Sequence, residues 1–343
     1  MHFFLALLAA TPSWSAALPV RLEALPAAPP SAFRAAAAPL STSGAGTVLP
    51  PPLPTAPPLQ PAVSVALNPD AAGISRIAAV GDAGTADVPQ ASIARAMASE
   101  HARAPFASVL VLGDNVYKNG EPEKFDAAVR EPYAALFDGG ARFYPVLGNH
   151  DVRAAGGEAQ RAYWGAPRWY KASIGTVEAF ALDTTLLIPH HQKHAYDDAL
   201  PETAQLASEM LAWLDDELGK STARHVVVYG HHPLYVSTNE AEKVAEAAEL
   251  RALLEPILKK HGVKLYLSGH KHHFERSRPV DGVVHVISGA GGQLSENPVL
   301  YPSGVAETVI QKRHFLMIEA ADDGLRVRAL NKRGEILDEF IVR

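Results

Sequence analysis

The chain has 343 residues and a formal net charge of −6, so it can form one large domain or two ordinary ones and lacks the basic excess of a general nucleic-acid binder. Apolar residues make up 48%, enough for a sizeable core, and the absence of cysteine excludes disulfides, thiolate nucleophiles and zinc–thiolate sites. The 15 histidines are more than a chain of this size usually carries, which points to metal binding by some of them.

Residues 1–17 are expected to be a signal peptide. Phe3 to Ala10 is a short apolar run, and small residues follow at Ser13, Ser15, Ala16 and Ala17, with cleavage expected after Ser15 or Ala17. The start departs from the usual pattern in having His2 and no Lys or Arg. The run is far shorter than the ~20 residues of a spanning helix, so stable membrane insertion is not expected. The expected location is therefore secreted or periplasmic. Residues 18–73 are rich in Ala, Pro, Ser, Thr and Leu, with PPPLPT at Pro50 to Thr55. Such a segment has too few backbone donors and too little apolar surface to fold. It reads as an extended, partly polyproline linker, either a passive tether or a docking segment.

Folded sequence is expected over 74–343. Ile74 to Val80 reads as a strand ending at Gly81-Asp82, and Ser92 to His101 as a helix. Ala107 to Leu112 is continuously apolar, as in a strand buried on both faces, and ends at Gly113-Asp114. Glu123 to Phe137 is amphipathic, with Pro132 as a possible kink. Phe143 to Leu147 is a strand before Gly148-Asn149-His150, and Val177 to Leu182 leads into Asp183-Thr184. Ala204 to Leu218 is a helix with Leu206, Met210, Leu214 and Leu218 on one stripe. His225 to Tyr229 is a strand ending at Gly230-His231. Glu240 to Lys260 is helical with a kink or break at Pro256. Val263 to Leu267 leads into Gly269-His270, and Val283 to Ile287 into Gly289 to Gly292. Phe315 to Ile318, Leu325 to Leu330 and Ile336 to Val342 form a meander, expected to be a second sheet. Strands alternating with helices define an α/β fold, and open α/β sheets gather ligands beyond their strand ends.

Five polar runs follow apolar strands in order: Asp82-Ala83-Gly84, Asp114-Asn115-Val116-Tyr117, Asn149-His150-Asp151, His231-His232 and His270-Lys271-His272. Carboxylate, phenol, amide and imidazole groups are ligands for hard and borderline metals. Asp82 and Asp114 facing one pocket repel unless a cation joins them, and either can bridge two metals. His270 and His272 can aim at neighbouring metals, with His273 as a competitor. Of the adjacent pair, His231 is the expected ligand and His232 a rim or outer residue. Asn149 can coordinate without adding charge, leaving His150 to deliver a proton. Asp151 either orients His150 or serves the turn. These runs together indicate a two-metal hydrolytic site.

The set resembles the calcineurin-like metallophosphoesterases, and within them the small, tartrate-resistant type of purple acid phosphatase. The resemblance runs from about Ile74 to the C-terminus and includes Asp183-Thr184 and Ser288 to Gly292. Most of the superfamily carries Asp-x-His at the first run, whereas Gly84 stands here and Tyr117 follows the second aspartate, as in the purple branch. The resemblance implies an α/β/β/α sandwich of two mixed sheets flanked by helices. It implies a first metal, Fe(III), on Asp82, Asp114, Tyr117 and His272, and a second, divalent Fe, Zn or Mn, on Asp114, Asn149, His231 and His270. Asp114 bridges them, His150 is the proton donor, and Asn115, His232 and Lys271 are candidate substrate contacts. Close relatives place a second outer histidine shortly after the His231 position, where this chain has Asn239-Glu240. His232, Lys271 or the loop with His190, His191 and His194 can compensate. The implied activity is acid hydrolysis of small phosphomonoesters by metal-activated hydroxide, with two cations ~3.5–4 Å apart. The alternatives are a phosphodiesterase or nucleotidase on the same site, or a non-catalytic metal-binding or adhesion module. No nucleic-acid partner is expected, and the sequence leaves oligomeric state open.

Overall fold

The computed structural model describes residues 74–188, 200–296, 299 and 302–343. The expected signal peptide and linker, and His190, His191 and His194, lie outside the described residues.

Two mixed sheets stack face to face. Among the described residues one has six strands and the other seven. In the first, β1 (Ser75–Val80), β2 (Ser108–Val111) and β3 (Arg142–Pro145) are parallel. The meander β11 (His314–Ala321), β12 (Gly324–Asn331) and β13 (Ile336–Val342) adds to it, because β11 pairs antiparallel with β1. The tail therefore extends the first sheet, correcting the expectation of a separate one. The second sheet comes from the middle of the chain. Its parallel centre is β5 (Val177–Ala181), β6 (His225–Tyr229), β7 (Leu265–Ser268) and β9 (Val284–Ser288). β4 (Tyr170–Ile174), β8 (Phe274–Ser277) and β10 (Ala306–Ile310) complete it with antiparallel pairings.

Strand alternation sets the layers. In β1, Ile77 and Ala79 enter the core between the sheets, while Ala78 and Val80 face the helices outside. In β11, Leu316 and Ile318 point inward, and Phe315 and Met317 outward. Helix α1 (Val88–Arg103) covers that outer face with Ile93 and Met97. Its N-terminus is held by Asp87, whose carboxylate accepts from the Gln90 N–H at 3.0 Å. Helices α4 (Leu200–Lys220) and α5 (Ala241–Lys260) cover the second sheet with Met210, Leu214, Leu218, Leu250, Leu254 and Leu258. Truncating one such buried leucine to alanine costs about 2–5 kcal/mol. The layer order is α/β/β/α, as expected.

Prolines behave differently in the two places they interrupt a helical pattern. The Glu123 to Phe137 segment breaks into short turns and α2 (Ala134–Asp138) around Pro132. Helix α5 runs unbroken through Pro256, its Leu250, Leu254 and Leu258 stripe anchored on both sides of it. Helix α3 (Glu158–Trp164) lies beside the third metal-motif loop. Among the described residues, no helix is long and apolar enough to cross a membrane.

Candidate metal centre

The carboxyl ends of the parallel strands in both sheets open toward one place. From the first sheet come Asp82, Asp114 and Asn149-His150, and from the second come His231 and His270 to His272. The loops are laced together by backbone: Asp82 N–H donates to Gly113 O at 3.0 Å, Tyr117 N–H to Gly84 O at 2.9 Å, and Gly269 N–H to His231 O at 2.9 Å. The Ser288 to Gly292 run braces the first loop, with the Gly292 and Gln293 N–H groups on Asp82 O at 3.1 and 3.0 Å. Asp82 and Asp114 both sit at φ 52° and His270 at φ 69°, a left-handed conformation that costs a non-glycine residue energy. Each turn aims its side chain inward instead of along the strand.

The donors form two groups that share Asp114. In the first, the Tyr117 hydroxyl lies 3.1 Å from Asp82 Oδ1, 2.9 Å from Asp114 Oδ2 and 3.3 Å from His272 Nε2, and His272 Nε2 lies 3.4 Å from Asp82 Oδ1. In the second, Asn149 Oδ1 lies 3.1 Å from His231 Nε2 and 2.9 Å from His270 Nδ1, those two nitrogens are 3.3 Å apart, and His231 Nε2 is 3.5 Å from Asp114 Oδ1. Metal–ligand bonds of about 2.0–2.2 Å give tetrahedral or octahedral edges of about 2.8–3.6 Å, so both groups have the spacing of a coordination shell.

The donor chemistry fits a metal. One phenolic proton lies between two carboxylates. His231 Nδ1 donates to Leu112 O at 2.8 Å, which leaves Nε2, directed at Asn149 Oδ1, as the nitrogen that can bind a cation once it carries no proton. Burial raises the Tyr117 pKa first, and Asp114 and Asp82 add to it, leaving it well above its ordinary value. A metal at this position must displace that proton. Burial opposes a charged His231, but Asp114 and then Asp82 outweigh it and hold the ring above its usual pKa. Burial likewise pushes Asp114 up, yet His231, then His150, bring it below the usual carboxylate value.

Gly148 is obligatory for a steric reason: a β-carbon there would fall on Asp114 Oδ1 and its backbone N. Gly148→Ala is expected to displace the Asp114 carboxylate and lower metal content while the core survives. Elemental analysis alongside a thermal melt tests this, and unchanged metal content would refute it.

His150 stands beside the shared aspartate. Its Nδ1 lies 2.6 Å from Lys118 O, which can only accept, so Nδ1 carries a proton and Nε2 is the working nitrogen. Nε2 is 3.9 Å from Asp114 Oδ2, and the ring packs on Tyr117 with centroids 4.6 Å apart. Asp151 does not orient it. The Asp151 carboxylate is fully buried and accepts from the N–H groups of Asn115 at 2.9 Å, Val116 at 3.2 Å and Gly148 at 2.8 Å, and from Gln160. It ties the second metal-motif loop to the third.

Two candidate substrate contacts need correction. Asn115 is buried, and its amide donates to Val146 O and Asp151 Oδ2 at 2.9 and 3.0 Å, so it serves the loop and not a ligand. His232 is also buried, its Nδ1 2.9 Å from Thr184 Oγ1 and its ring against those of His231 and His270, near enough for the three to share a metal. That same hydroxyl accepts from the His231 and His232 N–H groups at 3.2 and 3.1 Å. Thr184 thus positions the histidine turn, a role that the sequence signals only by its place after a strand. Asp183 is engaged by Arg168 at 2.9 Å, and His273, which also lines the cavity, by Glu275 at 3.1 Å. Lys271 does face the cavity, paired with Glu240.

The cavity over these groups has a volume of about 790 Å³. Asp114, Asn149, His150, His270 and His272 form its floor, and Arg153, Thr238, Asn239, Glu240, Lys243 and Lys271 stand among its walls. Where close relatives of the purple branch were expected to carry a second histidine, Asn239-Glu240 lines the wall and Glu240 holds Lys271.

The family model for calcineurin-like phosphoesterases matches residues 75–274. Over 205 residues the chain is 32% identical to tartrate-resistant acid phosphatase type 5 of Mus musculus, covering 53% of this chain and 60% of that protein. It is 31% identical over 247 residues to the Sus scrofa protein of the same name, covering 64% and 70% respectively. Among solved structures, a purple acid phosphatase from yellow lupin (Lupinus luteus) seeds superposes with a TM-score of 0.60 at 18% identity, over 79% of this chain and 54% of that one. The last comparison bears on fold alone.

Proposed function

The chain belongs to the calcineurin-like phosphoesterase family, and from that premise we propose that it is a two-metal acid phosphatase acting on small phosphomonoesters. The observation that carries this reading is the pair of donor groups sharing Asp114 on the floor of one cavity, with His150 Nε2 beside them. Asp82, Asp114, Tyr117 and His272 would hold the first ion. Three oxygen donors, two of them carboxylates and one a phenol, suit a hard ion such as Fe(III). Asp114, Asn149, His231 and His270 would hold the second, a divalent Fe, Zn or Mn. When bound, the two ions supply charge neutralisation on phosphate oxygens and a lowered pKa for water.

The protein's own residues do the rest. His150, its Nδ1 proton fixed on Lys118 O, presents Nε2–H to a departing oxygen. Lys271 and Lys243 place positive charge on the wall, tempered by Glu240 and Glu246. The described wall is mostly polar and charged, which suits a small phosphate ester. Residues 1–17 direct export to the periplasm or the medium, 18–73 tether the enzyme, and 74–343 are the catalytic domain. Parallel assays of the purified protein on a phosphomonoester, a phosphodiester and a nucleotide across pH, with metal analysis, test the reading. Preference for the diester or the nucleotide would reassign the substrate class, and no turnover with both metals bound would leave a binding module.

Tyr117 tests the metal identity. Oxidised protein is expected to be coloured by phenolate-to-iron charge transfer, and Tyr117→Phe to lose the colour while keeping its fold. A colourless wild type holding two zinc or manganese ions would remove the iron assignment and leave the phosphoesterase site standing.

A further inference from the structure

His270 differs from the other imidazole of the second donor group in what stands behind it. Its Nδ1 faces Asn149 Oδ1 and His231 Nε2 in the second donor group, and binding a metal through that nitrogen requires the ring proton on Nε2. Behind Nε2, at 3.4 Å, is Glu246 Oε2 of helix α5. His231 is backed instead by a neutral carbonyl, Leu112 O, at 2.8 Å. Glu246 is out of place by ordinary helix patterning. It sits on the buried stripe of α5 with Ala247, Leu250, Leu254 and Leu258, and its side chain is only 7% exposed. A carboxylate on an apolar stripe is costly unless it is paired. Lys243, one turn earlier, meets it at 3.0 and 3.1 Å, and His270 Nε2 lies within ion-pair reach of it at 3.4 Å.

We propose that Glu246 is a positioning residue for the second metal: its carboxylate holds the His270 ring with the proton on Nε2 and strengthens Nδ1 as a donor, while Lys243 moderates its charge. The inference rests on the reading of His270 as a ligand of that metal. A carboxylate behind a ligating histidine fixes the tautomer and raises ligand basicity. The second metal would then be bound by one imidazole backed by a carbonyl and one backed by an anion. Glu246 lies on a different element from every ligand, so α5, which also supplies Lys243 to the cavity wall, becomes part of the metal site.

The test is titration of Zn2+ into the metal-free, full-length protein against a chromophoric chelator, which reads metal affinity without turnover. Wild type is expected to show two classes of site, and His270→Ala to identify the second by its loss. Glu246→Ala should weaken that same class by about 10- to 100-fold and leave the other unchanged. Glu246→Gln, nearly isosteric and still able to accept from Nε2–H, should lose less, and it decides the matter if the alanine variant does not fold. Lys243→Ala should tighten the class or leave it as it was, because Glu246 then acts on His270 alone. Wild-type affinity in both Glu246 variants would overturn the proposal. So would equal weakening of both classes with a lowered melting temperature of the metal-free protein, or a loss in Lys243→Ala matching that in Glu246→Ala, since either marks helix packing. Two intact classes in His270→Ala would overturn the ligand reading itself, and the proposal with it.

Discussion

Asp114→Ala is expected to leave the protein with fewer than two bound metals and almost no turnover. One carboxylate faces both donor groups, Oδ2 toward Tyr117 at 2.9 Å and Oδ1 toward His231 at 3.5 Å. No neighbouring acid can replace it, because Asp82 is engaged by the His270 N–H at 2.8 Å and Asp151 by the loop backbone. The variant also removes the main counter-charge of His231, which is fully buried. Breaking a buried charge pair from one side costs about 3–5 kcal/mol, so the metal-free variant should melt at a lower temperature than the metal-free wild type. Elemental analysis, a melt and a phosphomonoester assay together read all three effects. Two metals retained with near-normal turnover would mean that Asp114 does not bridge.

His150→Ala is expected to act differently: both metals stay and turnover slows by ~10²–10⁴. The ring is no part of either donor group: it packs on the Tyr117 ring, with Nε2 3.9 Å from Asp114 Oδ2. What is lost is the proton for the departing oxygen. The slowing should therefore be large for an alkyl phosphate, whose alkoxide is a poor leaving group. It should be small for nitrophenyl phosphate, whose phenolate leaves unaided. Equal slowing for both substrates would assign His150 to binding or to the architecture of the loop. The Lys118 carbonyl that sets the tautomer is backbone, so no side-chain replacement at Lys118 should reproduce the effect.

The donor set was legible because each member is a local event. A run such as Ser108–Val111 is apolar enough to be buried on both faces, and it must stop at Gly113-Asp114. The same holds for His225–Tyr229 before Gly230-His231. Strand-forming runs, turn-permitting glycines and ligand types are all written within a few neighbouring residues, so the alternation of strands and helices and the five motif positions could be read in order. Alternation between buried and exposed faces, and the helix stripes of Met210, Leu214 and Leu218, are equally local.

Tertiary structure alone decided which of several similar polar groups meet. Asn115 and Asn149 both follow a strand-end glycine motif, yet the first is consumed by Val146 and Asp151 and the second faces two imidazoles. His231 directs Nε2 at Asn149 because its Nδ1 reaches Leu112 O beyond the other sheet, while His232 Nδ1 turns to Thr184. The meander joined the first sheet because β11 pairs with β1, a partner more than two-thirds of the chain away in sequence. Glu246 interrupts the apolar stripe of its helix, but nothing local says that His270 is the group it meets. These choices depend on pairings across the whole chain: burial favours arrangements in which enclosed donors and acceptors find partners, and those partners exist only once the two sheets have closed on each other.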